Sequence, residues 1–312
     1  MDSRVFDKKN VILLKITDND LLSFLVDTDI DDKGNYDWRL SVLANEIIGA
    51  IPEYVFANYK GESVTYTEMV DSLREAAKSI YRIPEYVLMK KYCIDNDPDA
   101  EMELKKLGFN QRGEFGEILL HLLLRDFKNT IPLISKVYFK DSAGVPAHGF
   151  DAVHITPDDG ILWLGESKFY KDAKSGLKAL LDDLTNHFKK DYLNEQFSII
   201  KKNASNNSIP ERDYWIDRLS SASKLSDKLN MINIPMLCIY NDDIYERYDD
   251  FSDEQAVSYH KSSVKELKNF FDTNNNHPLK KRLNIILFMF AIKDKKSLIM
   301  ALHEKLWHLQ NI

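Results

Sequence analysis

Cysteine is nearly absent from this chain. The two that occur among 312 residues, Cys93 and Cys238, are far apart and in no CxxC spacing. That excludes a disulfide framework and a thiolate zinc site, and it fits reduced thiols in a cytosol. Long apolar runs are missing too. The longest, Ile285 to Ile292, falls well short of the ~20 residues that cross a bilayer, and the opening MDSRVFDKKN carries no signal-peptide pattern. The expectation is a soluble cytoplasmic protein with no membrane contact. An excess of positive charge is also lacking. A formal net charge of −7 argues against broad electrostatic coating of nucleic acid, so contact with DNA has to use local basic patches or a partner that supplies grip. Lys189-Lys190, Lys201-Lys202 and Lys280-Lys281-Arg282 are the candidate patches, although short runs of this kind are usually solvated surface. There is no internal repeat, and the one biased segment, Lys201 to Ser208, reads as a polar loop.

What is present is ordinary for an α/β protein: 44% hydrophobic and 29% charged residues, in a chain long enough for one large domain or two smaller ones. Val11 to Ile16 and Leu21 to Val26 read as strands, followed by an acidic turn from Asp27 to Asn35. Helical periodicity then runs from Trp38 to Ile51 and again from Thr67 to Tyr81. Residues 1–99 are therefore read as a mainly helical accessory region suited to partner binding. The Asp95-Asn96-Asp97-Pro98-Asp99 stretch, which lacks EF-hand spacing, is the linker to a core over residues 100–312. In that core a helix from Gly113 to Lys128 precedes a strand at Lys136 to Lys140, a hairpin, and a helix over Gly176 to Tyr192 with Leu177, Leu180, Leu181, Leu184 and Phe188 on its apolar face. Asp213 to Leu229 reads as a helix and Ile232 to Tyr240 as a strand whose Pro235 suits an edge or bulge. A helix over Asp253 to Phe271, a strand over Leu283 to Ile292 and a helix over Lys296 to Gln310 complete the chain. The fold class expected is α/β (α+β), a mixed sheet covered by helices.

The most informative stretch is Gly149 to Lys168, GFDAVHITPDDGILWLGESK. Two β-like runs flank Pro157-Asp158-Asp159-Gly160, residues that favour a tight reversal. If Thr156 pairs with Ile161, Asp151 falls opposite Glu166 on one face, Lys168 shares that face, and Gly149 opposite Lys168 leaves room for a substrate backbone. Two facing carboxylates repel unless something neutralises them, and a hard divalent cation does so. Asp, Glu and Lys together fit metal-assisted attack of water on a phosphodiester. An acidic hairpin with one lysine is also what the solvated face of a sheet looks like. Against that, Leu162-Trp163-Leu164 runs directly into Gly165-Glu166-Ser167-Lys168, and charges at the end of a buried strand need partners or a metal. On the preceding helix a narrow polar stripe, Glu114, Glu117, His121 and Arg125, suits one specific neighbour such as the hairpin. His148 beside the hairpin could contact a phosphate or assist proton transfer.

Asp151, then Glu166-Ser167-Lys168 at the end of an apolar strand, with an acid on the preceding helix, resembles the PD-(D/E)XK nuclease superfamily, in which the leading proline is commonly absent, as here. GFDAVHI followed by LWLGESK, with the helix start Gly113-Glu114-Phe115-Gly116-Glu117 and a long N-terminal extension, is similar to the HamA family, nuclease subunits of the bacterial Hachiman anti-phage defence system. The similarity is best from about Arg112 to Phe188. The resemblance implies a restriction-endonuclease-like sheet flanked by helices, DNA cleavage dependent on Mg²⁺ or Mn²⁺, and a superfamily 2 helicase, HamB, as partner. It implies Asp151 and Glu166 as metal ligands, Lys168 as the catalytic lysine and Glu117 as the helix acid, with Glu114 competing for the same place. A non-catalytic DNA-binding or regulatory subunit of the helicase, and a stand-alone restriction-type or RNA-directed nuclease, are the alternatives.

Overall fold

Strands with apolar residues at successive positions need cover on both faces, because neighbouring side chains point to opposite sides of a sheet. Leu162-Trp163-Leu164 and the run from Ile286 to Ile292 are such strands, and all of their residues are buried. The computed structural model describes residues 11–56, 66–80, 86–106, 113–134, 149–156, 159–204, 212–220 and 224–312. Before residue 99 come β1 (Ile12–Asp18), β2 (Leu21–Val26), β3 (Thr28–Ile30), β4 (Tyr36–Trp38), α1 (Leu40–Gly49), α2 (Ile51–Phe56), α3 (Tyr66–Ile80) and α4 (Tyr86–Cys93). Then follow α5 (Pro98–Lys106), α6 (Glu114–Lys128), β5 (Ile131–Pro132), β6 (Ala152–Thr156), β7 (Ile161–Phe169), α7 (Ala173–His187) and α8 (Lys190–Ala204). The chain closes with α9 (Arg212–Arg218), α10 (Leu225–Leu229), β8 (Ile232–Asn241), α11 (Ile244–Arg247), α12 (Glu254–Asn274), β9 (Asn284–Ile292) and α13 (Lys295–Gln310).

Seven strands form one mixed sheet in the order β1, β2, β9, β8, β7, β6, β5. The central four, β2, β9, β8 and β7, are parallel, and the flanking β1, β6 and β5 are antiparallel to their neighbours. Helices cover both faces: α6 lies on one, beside α1 and α2, and α7 on the other, beside α12. This is the mixed sheet flanked by helices that the pattern predicts. Among the described residues no helix is long and apolar enough to cross a membrane.

Several expectations change in detail. β2 pairs along β9 from Leu21↔Leu287 to Leu25↔Ala291, so the sheet takes strands from both sides of residue 99, and the buried apolar residues form one continuous cluster. Asp97 in the acidic stretch accepts from the Asp99 N–H at the start of α5. The supposed acidic turn from Asp27 to Asn35 contains half of the small β3–β4 hairpin, closed through Gly34 at φ +82°. Asp213 to Leu229 forms two helices, and the helix predicted over Gly176 to Tyr192 stops at His187, where Phe188 turns fully into the core before α8 begins. The strand expected at Lys136 to Lys140, His148, and Pro157-Asp158 of the hairpin loop lie outside the described residues.

Pro235 sits neither at an edge nor at a bulge but in the central strand β8, aligned with Ile286 of β9. On its other side the β7–β8 register holds at Trp163↔Asn233 and at Glu166↔Met236 and is unpaired between them, where Pro235 meets Gly165. A proline has no N–H to give the ladder, and the missing side chain at 165 makes room for its ring. A Cβ built on Gly165 would lie 2.9 Å from Pro235 Cγ and 2.8 Å from Leu120 Cδ2 of α6. Gly165→Ala is therefore expected to destabilise the fold by about 1–3 kcal/mol through overpacking, read as a lower urea midpoint. An unchanged midpoint would refute this account of the contact.

Candidate active site

Alternation along β7 separates the four residues from Gly165 to Lys168. Gly165 and Ser167 face α6, where a Cβ on Gly116 would lie 3.2 Å from Ser167 Oγ. Glu166 and Lys168 face α7 and meet His187 and Asp183. The β6–β7 register runs from Thr156↔Ile161 to Ala152↔Gly165, with Gly160 of the turn at φ +62°. Continued by one residue it sets Asp151 across from Glu166, but the strand pairing stops at Ala152. Asp151 caps the end of the ladder instead: its Oδ2 accepts from the N–H and the Oγ of Ser167, each at 2.8 Å.

Two side chains that the sequence pattern did not single out complete the site. Glu166 is 2% exposed, and its Oε1 lies 2.6 Å from Nδ1 of His187. Lys168 Nζ lies 2.5 Å from Asp183 Oδ2. Ligand atoms of Glu166, Asp183 and His187 all lie within 4.8 Å of one another, the one such group of three or more among the described residues, and Asp151 is not part of it. The signal was available in the spacing. Asp183 and His187 are four residues apart, so they stack on one side of α7 beside the apolar stripe of Leu180 and Leu184.

Charge and burial compete here. Burial works against the ammonium of Lys168, yet the hydrogen bond and charge of Asp183, with Asp151 and Glu166 beyond it, outweigh that and hold its pKa above the ordinary lysine value. Lys168 is a fixed cation. Burial pulls His187 below the ordinary histidine value despite the carboxylates of Asp183 and Asp151. That ring stacks on Tyr192, with centroids 4.7 Å apart and planes 10° apart, and meets the edge of Phe150. Burial and the charge of Glu166 push the Tyr192 phenol far up. Lys189 and Lys190 follow His187 closely and are exposed, whereas Cys238 is buried, with its thiol pushed up by burial.

On the other face, the polar stripe of α6 turns mainly to α2. Glu117 is nearly buried and its Oε2 accepts from the Tyr54 hydroxyl at 2.6 Å. Arg125 pairs with Glu53 and Asp126, and His121 Nε2 lies 3.5 Å from Glu53. His121 reaches the hairpin: its Nδ1 is 3.1 Å from His154 Nε2, and His154 Nδ1 is 2.8 Å from Thr130 Oγ1. Glu114 carries an Oε2 that is buried without a hydrogen-bond partner.

A family model, HamA, matches residues 3–306 of the chain. No curated protein matches it.

The α6 side generates two predictions. Tyr54→Phe removes a hydrogen bond to a carboxylate and should cost about 1.5–3 kcal/mol of stability, read from chemical denaturation; a change within experimental error would show that the phenol is not a significant tie. Burial, with His121 and Arg125, pushes His154 well below the usual histidine value, and burial takes His260 down to about 4. Such histidines bind protons more readily unfolded, so their contribution is complete above the unfolded value near 6.5 and declines as pH falls below it, by up to about 1.4 kcal/mol per pH unit per group. Urea midpoints should fall from about pH 7 to 5, and His154→Gln should flatten the slope. An equal slope in the variant would contradict the assignment.

Proposed function

The chain belongs to the HamA family, the family of the Hachiman defence subunit, and on that premise we propose that it is a metal-dependent deoxyribonuclease that hydrolyses phosphodiester bonds in partnership with the superfamily 2 helicase HamB, in the bacterial cytoplasm. The observation that carries this reading is the end of β7, where buried Glu166 and cationic Lys168 leave the sheet side by side beneath α7. Glu166, Asp183 and His187 would hold the ion, Mg²⁺ or Mn²⁺, and the donor set of two carboxylates and one imidazole suits a divalent cation. When bound, such an ion polarises a phosphoryl oxygen and makes water a better nucleophile.

The chain's own residues do the remainder. Lys168, held charged by Asp183, is placed to offset negative charge that builds on the phosphate during attack. Asp151 ties the start of β6 to Ser167 and so fixes the direction in which Glu166 and Lys168 leave the sheet. Glu117 would be the helix acid, oriented by Tyr54. Lys189 and Lys190, exposed beside His187, offer the backbone of DNA a local positive edge on an otherwise acidic protein. HamB would supply the rest of the grip, consistent with the net charge of −7.

Glu166→Ala and Lys168→Ala are each expected to abolish plasmid degradation by the complex with HamB, ATP and Mg²⁺ or Mn²⁺, and to abolish phage protection, while the variants still fold and bind the helicase. Wild-type cleavage should stop on chelation. Full protection by both variants sinks the catalytic role, and ATP hydrolysis without metal-dependent DNA loss would instead mark a regulatory subunit.

A further inference from the structure

We propose that the cluster of Glu166, Asp183 and His187 selects a divalent first-row transition-metal ion over Mg²⁺, with the imidazole of His187 as the selecting ligand. The inference rests on the reading of β7 as a hydrolytic centre, but it concerns which ion the site takes. Mg²⁺ is hard and tightly hydrated and is ordinarily held through one or two carboxylates while keeping several waters. Two carboxylates at the end of a strand would suffice for it. This site adds a nitrogen donor within 4.8 Å of both acids. Imidazole is a ligand of the borderline transition ions, so its presence moves the preference away from Mg²⁺.

His187 is also built into place as a ligand is. It occupies the last turn of α7, because the helix ends there as Phe188 turns into the core. Its ring lies parallel to Tyr192 and against the edge of Phe150, two contacts that fix the plane of the imidazole. Ring contacts of this kind hold the imidazole ready, so less orientational freedom is lost when it binds. A second observation points into the same space. The Tyr192 hydroxyl is buried without a hydrogen-bond partner although it sits among the charges of Glu166, Asp183 and Asp151. It is a donor available to a water or phosphate oxygen held at the site. The anticipated pair of Asp151 and Glu166 offers no comparable selectivity, since both are oxygen ligands and Asp151 Oδ2 is engaged by Ser167.

Mn²⁺ is the probe, and the measurement is pulsed electron paramagnetic resonance on the full chain, read for ¹⁴N modulation from a coordinated imidazole. Wild-type protein should show it, and in calorimetric competition Mn²⁺ should displace Mg²⁺ from the site. In His187→Gln the ¹⁴N modulation should vanish and the preference over Mg²⁺ should narrow; His187→Asn serves if the glutamine variant does not fold. Mn²⁺ bound by wild type without nitrogen modulation, modulation that persists in the folded variant, or equal affinity for the two ions overturns the proposal. The two readings separate cleanly. Nitrogen-ligated Mn²⁺ without any DNA cleavage keeps this inference and removes the nuclease, and cleavage with an all-oxygen Mn²⁺ signal does the reverse.

Discussion

A carboxylate carried out of water at the end of a strand buried on both faces is unfavourable unless its environment repays the lost hydration. Glu166, 2% exposed, is that group, and the surrounding structure is arranged around it. α7 ends at His187 with its ring on the Glu166 carboxylate, and the same helix places Asp183 one turn earlier, on Lys168. The odd-numbered residues, Gly165 and Ser167, point the other way and admit α6 so closely that neither Gly116 nor Gly165 has room for an ordinary side chain without displacement of a neighbour. The two faces of one strand therefore differ in kind, since small residues pack one side tight and the other side carries the charges.

Much of this was legible in the chain. A turn with Gly160, flanked by two β-like runs, fixes the hairpin register, and the apolar Leu162-Trp163-Leu164 marks β7 as covered on both sides. Asp183 and His187 do not stand out in the sequence because they lie on a helix whose apolar stripe accounts for it without them, and because the stripe runs on through Phe188 and hides the break that frees His187. Pro235 misled for a different reason. A proline in a strand argues for an edge, and what makes a central position tolerable is a glycine far earlier in the chain, on the neighbouring strand β7. The pairing of β2 with β9 has the same character: each strand is evident locally, and nothing local says that they meet.

The polar stripe of α6 shows how a mixed helix can serve two neighbours. Its apolar positions rest on the sheet, while Glu117, His121 and Arg125 engage Glu53 and Tyr54, consecutive residues of the short helix α2. Two adjacent side chains thus hold three positions across successive turns of α6, which ties α2 to the helix that packs on Gly165. α6 in turn meets Ser167 at Gly116, and the Ser167 N–H and hydroxyl hold Asp151. The chain of contacts from residues before 99 to the end of β7 is continuous and short.

The end of β7 concentrates acids around a single ammonium: Asp183 bonds to Lys168, and Asp151 and Glu166 add to the field that raises its pKa. In a partly buried, weakly screened space such charges act on one another more strongly than in open solvent. Asp183 engages that ammonium directly, and Lys189-Lys190 stands exposed just beyond the end of α7. The acids whose burial is costly to the fold are thus the same groups that keep Lys168 charged at the end of a buried strand.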